Sequence, residues 1–493
     1  MRRKSRQLAI WLVSAAALWA QDNTLAAKSR AAKEAMLAGR YGEAIALYRH
    51  LVRALPAETG LKLSLALALE KGGQPSAAIP ELEACTRAEP RSATAWFLLG
   101  MAHQQLGHAP EAIAPLRKAV ELDPQNSQAR LELADAELTS GNPRDAALDF
   151  QALASAHPDS AKAWHGLGLA YLASAERAFV QVGEMAPQSG YWFALAGRAQ
   201  AAESHYAEAL NLYAEAIRVM PDLPGLHAAR ASAYRATGHA DWASVEDERE
   251  LHTVKPDCAR EIAACACLSG NWPKALNEAR ATGTVSNLYW ASIAAGKLAE
   301  ESFARLEALP ESADIHELLA ETAQRLGRRT QAVDEWRKAL AARQEDRRVQ
   351  GRLAEALLKD RDYDEAGRIL APLVRSAPEN AEWQYLLGET LFEQRRAEEA
   401  LQHLETARRF RPDDLPTLEA LGRAYLQIGD EKKAIPLLER ALPVDEAAIE
   451  FALSSAYRRV GRNPDAAAAL AKYRALTKNP EPAGPETGVI PAP

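Results

Sequence analysis

The sequence predicts an all-α solenoid of stacked helix-turn-helix hairpins, and three observations predict it. Pro56, Pro90, Pro124 and Pro158 are each 34 residues apart, as are the pairs Pro187/Pro221 and Pro378/Pro412. A fixed period of that size is the signature of a repeat array, not of a closed globule. The stretch Ala93 to Asn126 reads as one helix, a short turn, a second helix and a stop at Pro124. Finally, 493 residues exceed what one core organises. With 25% charged, 48% hydrophobic and only 6% aromatic residues, the alanine-rich composition suits close-packed helices.

The physics of one unit follows from residue size. With Ala93 as position 1, Trp96, Leu99 and Gly100 fall at 4, 7 and 8, about one turn apart on one face of the first helix. Ala112, Leu116 and Ala119 fall at 20, 24 and 27, and Pro124 at 32. Gly100 and Ala112 have almost no side chain, so the two helices can approach closely, with Trp96, Leu99 and Leu116 filling the space beside the contact. Gly107 suits the end of the first helix and Pro110 the start of the second. One hairpin cannot bury its own apolar face, so several must stack. These residues, recurring in phase, resemble the tetratricopeptide repeat (TPR) family. The resemblance implies a right-handed superhelical solenoid whose first helices line a concave, partner-binding surface.

The chain divides into five parts. Residues 1–20 read as a secretory signal peptide: Arg2, Arg3, Lys4 and Arg6 precede an apolar run from Leu8 to Trp19, short for a membrane span, with cleavage expected after Ala20. An uncleaved anchor is the alternative. Removing the four basic residues takes the formal charge from −7 to −11, which argues against a general nucleic-acid binder. Residues 21–221 form a first array, with units beginning at Leu25, Thr59, Ala93, Ser127, Ala161 and Gly190. The Ala161 unit reaches Pro187 five residues early, so its turn is missing or altered near Ala173 to Ala175. Residues 222–310 are degenerate. A helix from Trp242 to Val254 carries Glu246, Asp247, Glu248 and Glu250 where apolar positions are expected. Ala299 to Phe303 echoes Ala175 to Phe179, which suggests that the altered unit occurs twice; such a region could bend the solenoid or form a seam. Residues 311–476 form a second array, closed by a helix from Asp465 to Leu476, and 477–493 are a Pro-rich tail expected to be disordered.

Signals for chemistry are thin. His316-Glu317 begins like a zinc-protease motif, but the second histidine is replaced by Ala320. Gly166 and Gly168 lack the third glycine and the preceding strand of a dinucleotide loop, and Ala295-Gly296-Lys297 is an incomplete phosphate loop. No catalytic residue, metal site or cofactor is expected. Cys85 is read as core; Cys258, Cys265 and Cys267 lack metal-site spacing. Cys258 and Cys265 can join only if the backbone breaks between them, and buried free thiols are the other reading. Nine basic residues from Arg325 to Arg352, interleaved with Asp334, Glu335, Glu345 and Asp346, read as a solvated face with local ion pairs; a patch for an acidic partner is the alternative.

Under the family's phase, the concave surface of the first array carries Phe97, Met101, Gln104, Leu131, Asp135 and His165, and is comparatively apolar. That of the second array carries Arg352, Tyr385, Glu389 and Arg423, and is charged. Two binding zones, or one ligand with an apolar and a polar end, are implied. The lysine and asparagine clamp of chaperone-binding TPR domains is absent from the first array. The expected function is an exported, non-catalytic scaffold with protein or peptide partners, without nucleic acid and without stable membrane insertion after signal cleavage. The alternatives are an accessory subunit of a polysaccharide-export or outer-membrane assembly machine, and an enzyme with a cryptic site in the middle region.

Overall fold

Helix starts recur with the period of the prolines. Ser92, Asn126 and Ser160 accept hydrogen bonds from the backbone N–H of Ala95, Ala129 and Ala163. Ser312, Asp346, Asn380 and Asp414 do the same for Ile315, Val349, Trp383 and Thr417. Both sets are spaced by 34 residues. Each cap satisfies a donor the helix leaves unpaired, at about 1 kcal/mol apiece.

The computed structural model describes residues 24–280 and 283–477; the expected signal peptide, and the tail from 478, lie outside the described residues. No strand occurs among the described residues. The helices are α1 (24–37), α2 (Tyr41–Ala54), α3 (Thr59–Lys71), α4 (Pro75–Ala88), α5 (Ala93–Gln105), α6 (Ala109–Leu122), α7 (Ser127–Thr139), α8 (Pro143–Ala156) and α9 (Ala161–Met185). They continue as α10 (Gly190–Ala202), α11 (Tyr206–Val219), α12 (Leu226–Ala236), α13 (Ala240–His252), α14 (Ile262–Leu268), α15 (Trp272–Ala279), α16 (Val285–Glu307) and α17 (Ala313–Arg325). The last are α18 (Arg329–Ala342), α19 (Arg347–Lys359), α20 (Tyr363–Ser376), α21 (Ala381–Glu393), α22 (Ala397–Phe410), α23 (Leu415–Ile428), α24 (Glu431–Ala441), α25 (Glu446–Arg459) and α26 (Asn463–Thr477). Two compact units divide inside α9, between Ser174 and Ala175.

Within each unit, hairpins stack in chain order. Inside a hairpin, the close approach expected at position 8 is present. A Cβ on Gly100 would stand 2.4 Å from Cγ of the fully buried Leu116, and Gly388 meets Leu404, and Gly422 Leu438, in the same way. Between hairpins, the residue at position 4 ties back to the proline that ended the previous unit. Trp96 Nε1 donates to the Pro90 carbonyl (3.0 Å), Trp164 Nε1 to Pro158 (2.8 Å) and Gln384 Nε2 to Pro378 (2.8 Å).

The altered unit does occur twice. α9 runs 25 residues and α16 runs 23, each a single helix without the inter-helix turn of a regular unit. In the second unit, α16 packs on α10, α14, α15 and α17. Ser292 Oγ donates to the Ala175 carbonyl at 3.0 Å, and Arg325 pairs with Glu176 at 3.0 Å. The helices between α10 and α16 therefore form an excursion that returns, and the middle is a seam inside this unit.

The acidic run has two structural uses. Glu246 is fully buried, 2.6 Å from His227 Nδ1, and accepts from Arg249 (2.7 Å) and Arg230 (3.3 Å). Burial pulls its carboxyl up, but the His227 hydrogen bond and the charges of Arg230, His227 and Arg249 outweigh this and hold it below the ordinary range. Glu250 accepts from the N–H groups of Gly225 and Ala228, at 2.7 and 3.1 Å, and so caps the start of α12. Cys258 and Cys265 form a disulfide. The required break is present, because the chain between them is not helical until Ile262. Cys85 and Cys267 are buried free thiols.

Gly100→Ala is expected to loosen α5 against α6 by about 1–3 kcal/mol, because the new methyl overlaps Leu116. Hydrogen exchange on the full chain should show faster exchange in both helices. Unchanged protection there would contradict the close-approach account.

Candidate functional site

The first-helix surface of the first unit is partly spent on packing. Phe97 lies against Ala112, Leu116, Leu133 and Ala136, and Leu131 lies against the cluster around Phe150. Gln104 Nε2 donates to the Glu132 carbonyl (2.7 Å) and its carboxylate (3.3 Å), linking α5 to α7. Met101 and His165 are half-buried and Asp135 is exposed. Desolvation lowers the His165 imidazole to about 4, and its Nε2 has no hydrogen-bond partner. Burial, with help from Glu132 and against the pull of Lys162, raises the Asp135 carboxyl to about 6 even though water reaches the side chain.

In the second unit the structure brings Glu389 and Arg423 together. Arg423 on α23 lies 3.5 Å from Glu389, 3.5 Å from Glu419 and 2.9 Å from Glu393. Its guanidinium sits over the Phe392 ring, 4.5 Å from the centroid. Three carboxylates thus share one cation, and Glu389 Oε1 is buried without a partner. Burial, reinforced by Glu419 and Glu393 against the pull of Arg423, pushes the Glu389 carboxyl up to about 7. Burial, with the Glu389 and Glu419 carboxylates, holds the Tyr385 hydroxyl above its ordinary value. Arg352 stands on separate pairs, 3.0 Å from Glu355 and 4.0 Å from Glu382.

Two features escaped the sequence reading. Glu393 belongs to the Arg423 cluster and was legible from its phase, one position after Phe392. A polar pair also recurs between positions 4 and 23 of one hairpin: Arg130–Asp149 (2.8 Å), His227–Glu246 (2.6 Å), His316–Glu335 (2.7 Å) and Gln384–His403 (2.8 Å). Polar residues 19 apart would have signalled it. His316, the start of the incomplete zinc motif, is thereby engaged with Glu335, and no metal-holding group of three His, Cys, Asp or Glu side chains occurs among the described residues. The basic stretch does make local pairs, such as Lys338–Glu335. It also reaches across helices, with Arg337 on Glu365 and both Arg343 and Arg348 on Glu317.

Models of the tetratricopeptide repeat match residues 29–83, 63–127, 131–188, 327–389 and 379–447, together more than half of the chain. The chain belongs to the tetratricopeptide-repeat family. A 108-residue stretch of this chain is 35% identical to the beta-barrel assembly-enhancing protease of Escherichia coli K12, covering 22% of each chain. The chain thus spans about a fifth of that relative's length. Among solved structures, a thermophilic TPR protein of Thermus thermophilus is 25% identical over 34% of this chain and 93% of its own, with a TM-score of 0.30. MamA of Desulfovibrio magneticus RS-1 is 20% identical over 35% of this chain and 99% of its own, with a TM-score of 0.31. Among the described residues, no helix of the TPR array is long and apolar enough to cross a membrane.

The raised Glu389 carboxyl makes the stability of α21–α23 depend on pH. The folded state holds this proton more tightly than the unfolded state, so stability falls as pH rises from the ordinary carboxylate range through about 7. Glu389→Gln should remove that dependence and stabilise these helices at pH 8 by about 1–3 kcal/mol. Thermal melts at pH 5 and pH 8 check this, and parallel curves for wild type and variant would refute it.

Proposed function

We propose that this TPR array is an exported, non-catalytic scaffold that holds segments of other proteins against its first-helix surfaces, as an accessory of an outer-membrane assembly machine. The single observation that carries the pathway is the 35% identity over 108 residues to the beta-barrel assembly-enhancing protease. That relative's protease activity is not transferred, because the shared stretch covers 22% of it. Export is supported by the basic and then apolar start, Arg2 to Trp19, and by the Cys258–Cys265 disulfide, which suits an oxidising compartment. Protein capture is supported by the unequal surfaces. The first offers Met101, whose thioether adapts to irregular apolar partners, and the second offers an excess of carboxylate beside aromatic rings. An enzyme with a site in the middle region is the alternative; there, Glu246 is engaged by His227, Arg230 and Arg249, and the cleft beside residues 256–264 is lined by Asp222 and Glu261.

Crosslinking capture from a bacterial envelope fraction, with the full chain as bait, tests the reading. The expected result is recovery outside the cytoplasm, with outer-membrane assembly components crosslinked to first helices. Met101→Ser with His165→Ala, and Tyr385→Ala with Glu393→Ala, should each lower recovery of a partner several-fold, since a few central side chains dominate binding. Recovery only in the cytoplasm would overturn the export reading, and crosslinks confined to second helices would overturn the groove.

A further inference from the structure

The return of α16 onto α10 leaves a half-open cleft of about 300 Å³ in the second unit. Its walls are Tyr191 on α10, the 220–224 turn, parts of the 256–264 segment, and Ser286 and Trp290 on α16. The Cys258–Cys265 disulfide closes that segment on itself, and Glu261 within it accepts a hydrogen bond from the Asp257 N–H at 2.9 Å. Two aromatic side chains, Tyr191 and Trp290, and two carboxylates, Asp222 and Glu261, therefore face one space, beside Met220 and Leu223. No lysine, arginine or histidine among the described residues lines it, and Arg198, which neighbours Tyr289, is not part of the lining.

That combination selects a ligand class. The volume suits a small ligand or one long side chain. Aromatic faces attract cations, and two carboxylates add to that attraction while repelling anions. Met220, Leu223 and the lining prolines suit an aliphatic shaft. We propose that this cleft binds an aliphatic ammonium, with its charged head toward Asp222 and Glu261 and its methylenes against Tyr191 and Trp290. The site takes Tyr191 from the first helix α10 but none of the groove residues named above, and it does not rest on the scaffold reading.

The test is a titration of the full chain followed by NMR of the Trp290 indole N–H, assigned with Trp290→Phe. n-Butylammonium should shift this signal saturably, n-pentanol should bind about tenfold more weakly, and butyrate should not bind. D222N/E261Q should weaken the amine about tenfold and leave the alcohol unchanged. Both side chains are exposed, so an unchanged circular dichroism melt is expected for this variant. A blocked Ala-Lys-Ala peptide that binds tighter than butylammonium identifies a partner's lysine as the source, and weaker binding identifies a free amine. Equal binding of amine and alcohol, or no saturable shift with butylammonium, would overturn the proposal. Loss of partner capture with amine binding intact would sink only the scaffold reading.

Discussion

Each regular hairpin depends on the distance between its two helices. At Gly100 a methyl group would stand 2.4 Å from Leu116, well inside contact distance, and Gly388 and Gly422 repeat the relation with Leu404 and Leu438. Because the helices come this close, the leucine at position 24 is wholly buried by a partner only one turn wide. The remaining apolar surface of the pair then faces the next hairpin. The same spacing brings position 4 within reach of the proline carbonyl ending the previous unit, as at Trp96 and Pro90. Packing inside a unit and linkage between units are thus set by a few small and rigid residues.

Where the inter-helix turn is lost, the consequences are long-range. α9 and α16 are single long helices, and α16 comes back to α10, nearly a hundred residues earlier. Ser292 finds the Ala175 carbonyl, and the Tyr289 ring meets that of Tyr191 at a tilt, with centroids 5.1 Å apart. The intervening helices cannot all bury apolar faces in the regular way. They use the Glu246 ion cluster, the Glu250 cap and a disulfide instead. A buried carboxylate is tolerable only when it is met by partners, and Glu246 meets two arginines and a histidine.

Much of the fold was legible in the residues. Pro56 to Pro158 declared the period, and the early arrival of Pro187 declared the lost turn, because proline and glycine act on their own backbone whatever surrounds them. The candidate groove was legible only in outline. Phase placed Phe97, Leu131 and Gln104 on the concave side, but whether such a side chain is free or spent depends on the neighbouring repeat. Phe97 and Leu131 are partly consumed by packing, and Gln104 is held by Glu132. Three glutamates from two helices converge on Arg423, a convergence no single repeat encodes.

The sequence by itself determined the local terms: helix starts at Ser92 and its successors, the close approach at Gly100, and the proline stops, since each follows from one residue's size, cap or backbone angle. Only the tertiary structure decided the seam, the Cys258–Cys265 pairing and the unpartnered oxygen of Glu389. The seam and the Glu389 environment depend on distances between residues far apart in the chain, and the Cys258–Cys265 pair, seven residues apart, depends on the chain leaving the helix between them; all three exist only once the helices have packed.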